Sequence, residues 1–105
     1  MKAQIAGHYL EMKKKYPEYF RAIEKLGETA GKAGPLNRKC TELIQLAASL
    51  ANGSEGAVHS HCKRALEAGA SNEEIRHTVL VLTNTIGFPR VMAGLSWVND
   101  ILGSE

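Results

Sequence analysis

Glycine and proline divide this 105-residue chain into segments of helix length, and this division is the feature that most constrains its fold. Pro17 falls where one segment begins, Gly34-Pro35 separates the first third from the rest, and Asn52-Gly53 and Gly69 end two later segments. No stretch shows the alternating, β-branched and turn-bounded pattern that strands require. The chain is therefore predicted to be all-α, with about six helices.

The predicted helices follow from apolar residues that recur at helical spacing. They cover about residues 3–15, 17–26, 36–52, 54–68, 71–86 and 88–102. The first two carry apolar stripes, and the second is expected to turn its stripe inward; these residues are Ile5, Tyr9, Met12 and Tyr16, then Phe20, Ile23 and Leu26.

The fifth helix has the clearest start signal. Ser71 and Glu74, three residues apart, match a capping box in which Ser71 is the N-cap. The run Val79-Leu80-Val81-Leu82 then makes this helix apolar around most of one turn, which predicts burial on two sides. We interpret that burial as contact with partner subunits, because a single chain of this length can form only a small core.

Composition and length indicate one domain over residues 1–105 and exclude several classes of function. The formal net charge of +2 does not fit a basic nucleic-acid module, and Lys13–Lys15 is interpreted as a solvated helix face. No run of about 20 apolar residues and no secretory signal is visible, so no membrane span and a cytoplasmic location are expected. Cys40 and Cys62, the only cysteines, are interpreted as reduced thiols.

The segment 54–68 holds two histidines that a helical wheel separates. At 100° per residue, Val58, Cys62 and Ala65 define the buried face, and His61 lies within its arc among small residues. His59 lies at the edge of that arc, about 160° from His61 around the axis. The two histidines therefore cannot share one zinc ion. We expect no metal site and no cofactor.

Glu42 is a second inward-pointing candidate, because it shares a helix face with Leu46 one turn on. The alternative is an exposed pair with Arg38, at the i, i+4 spacing. His61 has its own alternative, a hydrogen-bonded histidine of the core. Spacing along the sequence does not by itself make Glu42 and His61 partners.

These residues also carry a resemblance to a known family. The order along the chain is Glu42-Leu43-Ile44, Ala47-Ala48, Asn52-Gly53, His61, Ala65-Leu66, Ala68-Gly69-Ala70 and Glu73-Glu74-Ile75. This order resembles the carboxymuconolactone decarboxylase family, which includes alkylhydroperoxidase D, and Gly87-Phe88-Pro89-Arg90 is similar to a segment of the decarboxylase branch. The match covers about residues 35–102, a family core that follows N-terminal helices in residues 1–34.

The resemblance implies an alkylhydroperoxidase D-like helical bundle that forms a homo-oligomer, a trimer or hexamer, with active sites near subunit contacts. In alkylhydroperoxidase D-like members, a glutamate and a histidine relay protons to a C-x-x-C pair. Glu42 and His61 match the relay, whereas Ser54 and Ala57 fall on the two cysteine positions. Because neither residue can supply a thiolate, the dithiol mechanism cannot be carried over, and the chain is more similar to the decarboxylase branch.

Cys62 is the candidate for a replacement thiol, because it follows His61 directly. It points at the centre of the apolar face, however, where desolvation raises a thiol pKa, so a structural role is favoured. Cys40, near the start of the third helix, has no evident resolving partner and is also interpreted as inert.

The leading functional interpretation is a cofactor-independent enzyme of the carboxymuconolactone decarboxylase type. In it His61 is the general acid or base, and Glu42 orients it or passes its proton. The small-molecule substrate is a carboxylated lactone or keto acid. Arg90 is a candidate for binding the substrate carboxylate, against the alternative of a solvated surface arginine, and His59 is a weaker candidate at the pocket edge. Two alternatives stay open: a peroxiredoxin-like hydroperoxide reductase that uses Cys62, and a non-catalytic scaffold or small-molecule binder.

Overall fold

The computed structural model describes residues 2–103, and the side chains of residues 7–103. Within that range the chain is all-helical, with seven helices and no strand. The helices are α1 (Lys2–Lys15), α2 (Pro17–Gly31), α3 (Arg38–Ala51), α4 (Glu55–Glu67), α5 (Asn72–Leu80), α6 (Thr83–Ile86) and α7 (Phe88–Leu102). None of these helices is long and apolar enough to cross a membrane.

A first compact unit, which ends at Leu36, contains α1 and α2. The two helices are linked by an edge-to-face contact between the rings of Tyr9 and Phe20, whose centroids are 5.3 Å apart. Lys13 Nζ also donates to Glu24 Oε2 over 2.6 Å. Both side chains of this ion pair are exposed, so it contributes little to stability.

The apolar residues of α2 are less enclosed than the sequence predicts. Ile23 and Leu26 are exposed and Phe20 is only partly buried, because a pair of helices has no third layer within its own unit to cover this face. Tyr9 of α1 and Tyr16, which follows the end of α1, are likewise exposed, and the predicted stripe residue Ile5 lies outside the described side chains.

The second compact unit begins at Asn37 and contains α3 to α7. Helix α4 packs against α3 on one side and α7 on another, and α5 also packs against α7. The buried apolar residues come from α3, α4, α5 and α7 and from the turn before α5; they are Leu46, Leu50, Val58, Cys62, Ala65, Ala70, Ile75, Val79, Val91 and Val98. The predicted buried face of α4 is thereby confirmed, since Val58, Cys62 and Ala65 are all fully inaccessible.

Side chains cap the starts of three helices in this unit. Asn37 Oδ1 accepts from the backbone N–H of Cys40, and the Ser54 hydroxyl accepts from that of Ala57. At α5 the predicted capping box is confirmed: the Ser71 hydroxyl accepts from the Glu74 N–H, and the Glu74 carboxylate accepts from the Ser71 N–H. Glu74 also binds Lys39 of α3 over 3.0 Å.

The fifth predicted helix is not continuous to residue 86, because a turn at Val81 and Leu82 separates α5 from α6. Here the Leu82 N–H donates to the Val79 carbonyl three residues back, and the Thr83 hydroxyl donates to the Leu80 carbonyl. Val79 is fully buried, whereas Leu80 and Val81 are about half exposed. The single chain therefore covers this apolar turn on one side only.

Gly94 allows α7 to approach α3 closely. It is buried in α7, and a Cβ at this position would overlap Leu50 Cδ2 and lie 3.1 Å from Val79 Cγ1. Leu50 is fully buried, so any shift of its side chain has to be taken up by neighbouring side chains of a closely packed core. The packing of this core therefore requires glycine, which has no Cβ, at position 94.

We predict that Gly94→Ala lowers the free energy of unfolding by about 1–3 kcal/mol, the usual cost of overpacking a core. Urea denaturation followed by circular dichroism measures it. The matched control is Gly27→Ala in α2, where a Cβ meets nothing within 4 Å, so that only the gain in helix propensity remains. Equal stability changes in the two variants would contradict the packing argument.

Candidate functional site

Glu42 and His61 form a side-chain pair between α3 and α4. Glu42 Oε1 lies 2.9 Å from His61 Nδ1, which is hydrogen-bonding distance. Only 11% of the Glu42 side chain and 15% of the His61 side chain are exposed. Helical spacing suggested each residue separately, the family resemblance matched both to one proton relay, and the structure brings them together.

The packing of α3 against α4 places this pair. Leu46 follows Glu42 by one turn on α3, and Cys62 and Ala65 lie beside His61 on α4; all three are fully buried. Side chains one turn apart on a helix share a face, so the apolar contact between the helices carries Glu42 inward with Leu46. The acid and the imidazole then meet at the edge of the core.

Arg38 does not pair with Glu42, which was the alternative at i, i+4 spacing. Its guanidinium Nη2 lies 3.5 Å from Glu67 Oε1 at the end of α4, and both of these side chains are largely exposed. Glu42 is buried and bound to His61 instead. The pairing of Arg38 with Glu67 leaves His61 as the hydrogen-bond partner of Glu42.

The contact with Glu42 determines how the His61 ring can act. An ionised carboxylate only accepts hydrogen bonds, so Nδ1 of His61 carries the proton that it shares with Glu42. Within the described residues no hydrogen bond reaches the other ring nitrogen, Nε2. With Nδ1 engaged by Glu42, Nε2 is the ring nitrogen that is left to take or give a proton.

Cys62, the candidate thiol, is enclosed by the core. Its side chain has no accessible surface, and this burial raises its pKa to about 11. At pH 7 only about one molecule in ten thousand then carries the reactive thiolate. The structural role that the sequence favoured for Cys62 is the one that its surroundings support.

His59 faces away from His61 and contacts α7. It is buried, and its Nε2 lies 2.9 Å from Asp100 Oδ2 and 4.0 Å from Glu55 Oε2. The sequence placed His59 at a pocket edge and did not indicate Asp100, because 41 residues separate the two. The i, i+4 spacing of Glu55 and His59 was the one local signal for this group.

Arg90, the candidate for binding a carboxylate, interacts with the end of α3. Its Nη1 donates to the Leu50 carbonyl over 3.2 Å, and the guanidinium occupies the space that a Cβ at Gly53 would fill. Leu50 is eight residues from Glu42, about 12 Å along the helix axis. The structure thus does not bring Arg90 to the Glu42–His61 pair.

Comparison with known proteins identifies the family. The model of the carboxymuconolactone decarboxylase family matches residues 17–100, which include α2 to α5, α6 and most of α7. The chain belongs to this family. The resemblance inferred from the order of residues around Glu42 and His61 is confirmed.

Two relatives of this carboxymuconolactone decarboxylase family chain extend over most of its length. An uncharacterized protein of Methanocaldococcus jannaschii is 29% identical over 94 residues, which are 90% of this chain and 88% of the relative. The crystal structure of an apo carboxymuconolactone decarboxylase family protein from Legionella pneumophila is similar with a TM-score of 0.80 and 24% identity. The similar region comprises 93% of this chain and 88% of the Legionella chain, and this likeness supports the all-helical fold.

Ser54 and Ala57, which the resemblance aligns with the two cysteines of alkylhydroperoxidase D-like members, lie at the start of α4. Ser54 is the N-cap of the helix, and Ala57 donates its backbone N–H to the Ser54 hydroxyl over 3.4 Å. One position therefore serves to cap the helix, and the other carries only a methyl group. Neither supplies a sulfur atom to the Glu42–His61 pair.

Burial of Cys62 leads to a prediction about thiol labelling. In Cys40→Ala, where only Cys62 remains, iodoacetamide should react at least about a hundredfold more slowly with the folded protein than with the protein in urea. The rise of the pKa from 9.0 to about 11 gives this factor before steric exclusion is counted. Mass spectrometry of the alkylated chain follows the reaction.

The matched control is Cys62→Ala, where only the partly exposed Cys40 remains and folding should protect the thiol much less. Equal labelling rates of Cys62 in the folded and the urea-unfolded chain would contradict its burial and would restore it as a candidate nucleophile.

Proposed function

We propose that this protein is an acid–base enzyme that decarboxylates a small carboxylated lactone or keto acid. His61 is the proton carrier and Glu42 is its positioning residue. The observation that supports this proposal is the 2.9 Å contact between Glu42 and His61 Nδ1 in a largely buried setting that leaves Nε2 without a partner among the described residues. Membership of the carboxymuconolactone decarboxylase family agrees with it.

The proposed reaction uses His61 at a single step. When the carbon–carbon bond to the carboxylate breaks, carbon dioxide leaves and the electron pair stays on the substrate as an enolate or dienolate. Protonated His61 then delivers the Nε2 proton to carbon, and Glu42 stabilises the imidazolium that precedes the transfer. Imidazole suits this step because its ordinary protonation equilibrium lies close to neutral pH.

A thiol-dependent hydroperoxide reductase is the less favoured function. Peroxide reduction needs a thiolate, whereas Cys62 is fully buried and its pKa is raised to about 11. Ser54 and Ala57 offer no replacement at the dithiol positions. Consumption of an organic hydroperoxide with dithiothreitol, abolished by Cys62→Ser, would reverse this preference.

We predict that His61→Gln lowers kcat for decarboxylation by about 10²–10⁴-fold, because it removes the proton donor. Release of carbon dioxide from carboxymuconolactone and from β-keto acids measures the activity. Glu42→Gln should lower kcat less and leave KM nearly unchanged. It removes the negative charge that orients the His61 ring but keeps a side chain of nearly the same shape at position 42.

The matched control is His77→Gln, which changes an exposed histidine of α5 and should leave kcat unchanged. Full activity in His61→Gln would contradict the proposed role. A wild-type protein that binds these acids without turnover would instead indicate a small-molecule binder on the same scaffold.

We also propose that the protein assembles as a homo-oligomer, a trimer or a hexamer. The segment from α5 to α7 exposes four apolar side chains by about half or more in the single chain: Leu80, Val81, Phe88 and Met92. Soluble proteins seldom leave such apolar area uncovered. Neighbouring subunits that contact this segment would bury the second side of the Val79–Leu82 run, as its apolar pattern predicts.

Val81→Glu should therefore lower the molar mass measured by size-exclusion chromatography with light scattering, because it places a charge in the proposed contact. Asn84→Glu, a change of an exposed polar residue three positions on, is the matched control and should keep the wild-type mass. A wild-type protein that elutes with the mass of one chain would contradict the proposed assembly.

A further inference from the structure

A second cluster of titratable side chains lies on the opposite side of α4 from the Glu42–His61 pair. It contains Glu55 and His59 of α4 and Asp100 of α7, and one ligand atom from each lies within 4.8 Å of the other two. The proposed proton transfer uses none of these residues. The cluster is thus separate from the proposed catalytic pair.

Hydrogen bonding accounts for only part of this cluster. His59 Nε2 lies 2.9 Å from Asp100 Oδ2, a good hydrogen bond, and the same nitrogen lies 4.0 Å from Glu55 Oε2, which is too far for one. One ring nitrogen can donate to only one carboxylate. Glu55 is therefore turned toward the pair without completing a hydrogen bond to it.

The separations fit three ligands of one metal ion. With bonds of about 2.1 Å, two ligands of the same ion are at most about 4.2 Å apart, so both contacts of His59 Nε2 are within range. At tetrahedral angles two ligands lie about 3.4 Å apart, so the two carboxylates need to approach by at most about 1.4 Å from their 4.8 Å limit. Glu55 and Asp100 are 23% and 37% exposed, so their side chains have room for that adjustment.

The helices hold the three ligands in place before any ion binds. Glu55 and His59 are one turn apart on α4, so their side chains share a face, and Asp100 comes from α7, which packs on α4. His59 is 8% exposed, so burial holds its ring with Nε2 toward the carboxylates. A site built on two packed helices loses little entropy when it is filled.

We propose that Glu55, His59 and Asp100 bind one divalent first-row transition-metal ion per chain. One imidazole nitrogen and two carboxylate oxygens suit ions such as Zn²⁺ and Co²⁺, whereas Mg²⁺ prefers oxygen ligands and water. The two negative charges balance the ion. Three protein ligands leave at least one coordination position for water, on the accessible side formed by Glu55 and Asp100.

This site differs from the shared zinc site that the spacing of His59 and His61 excludes. Those two histidines point to different helices, His61 to α3 and His59 to α7. The expectation of no metal site rested on the spacing of two residues of the same helix, His59 and His61. The third ligand, Asp100, comes from a distant part of the chain.

The test is isothermal titration calorimetry of tag-free, chelator-treated protein with ZnCl₂, together with visible absorption spectra after addition of CoCl₂. We expect one ion per chain, a Co²⁺ spectrum that differs from that of the free ion, and no competition by Mg²⁺. Asp100→Asn and Glu55→Gln should each weaken Zn²⁺ binding at least tenfold, since each removes one anionic ligand.

The matched control is Glu73→Gln. Glu73 and His77 have the same i, i+4 spacing on exposed positions of α5, and this substitution removes the same charge outside the cluster. Wild-type affinity in Glu73→Gln together with weakened binding in Glu55→Gln would support the site. Equal weakening in both would show nonspecific binding to surface carboxylates and overturn it.

Glu55→Gln also covers the case in which Asp100→Asn fails to fold, because it leaves the His59–Asp100 hydrogen bond intact. Circular dichroism establishes that each variant is folded. Absence of Zn²⁺ binding by the wild-type protein, or unchanged affinity in Glu55→Gln, would overturn the proposal and leave His59 and Asp100 as a structural link between α4 and α7.

Discussion

The packing of α4 between α3 and α7 determines where the Glu42–His61 pair, Cys62 and the cluster of Glu55, His59 and Asp100 lie. Val58, Cys62 and Ala65 are fully buried along this helix, and their contacts fix its rotation about its own axis. Once that rotation is fixed, His61 must face α3 and His59 must face α7, because two residues of helix turn the chain by about 200°. A single apolar stripe thus sets the direction of both histidines.

Features within one helix or one turn could be predicted from the sequence. The capping box at Ser71, the buried face of α4 and the helical fold all rest on residues a few positions apart, where spacing alone carries the information. The inward position of Glu42 was one of two alternatives, and packing decided between them. Its role in catalysis, like that of His61, stays a prediction.

Contacts between distant parts of the chain could not be predicted in this way. His59 finds Asp100 across 41 residues, and Arg90 finds the Leu50 carbonyl across 40. Nothing local marks Asp100 as a partner or directs Arg90 to the end of α3. The break between α5 and α6 was also missed, since Val81 and Leu82 continue the apolar pattern while the backbone turns.

The capping box of α5 has a further consequence for the behaviour of the protein in acid. The Ser71 N–H and the Lys39 ammonium both bind the Glu74 carboxylate, and these two contacts hold the pKa of Glu74 below its usual value. Stability from a lowered carboxyl pKa is present above the unfolded value and is lost as the pH falls through the folded one. Protonation of this one carboxyl therefore weakens the start of α5 and its link to α3 together.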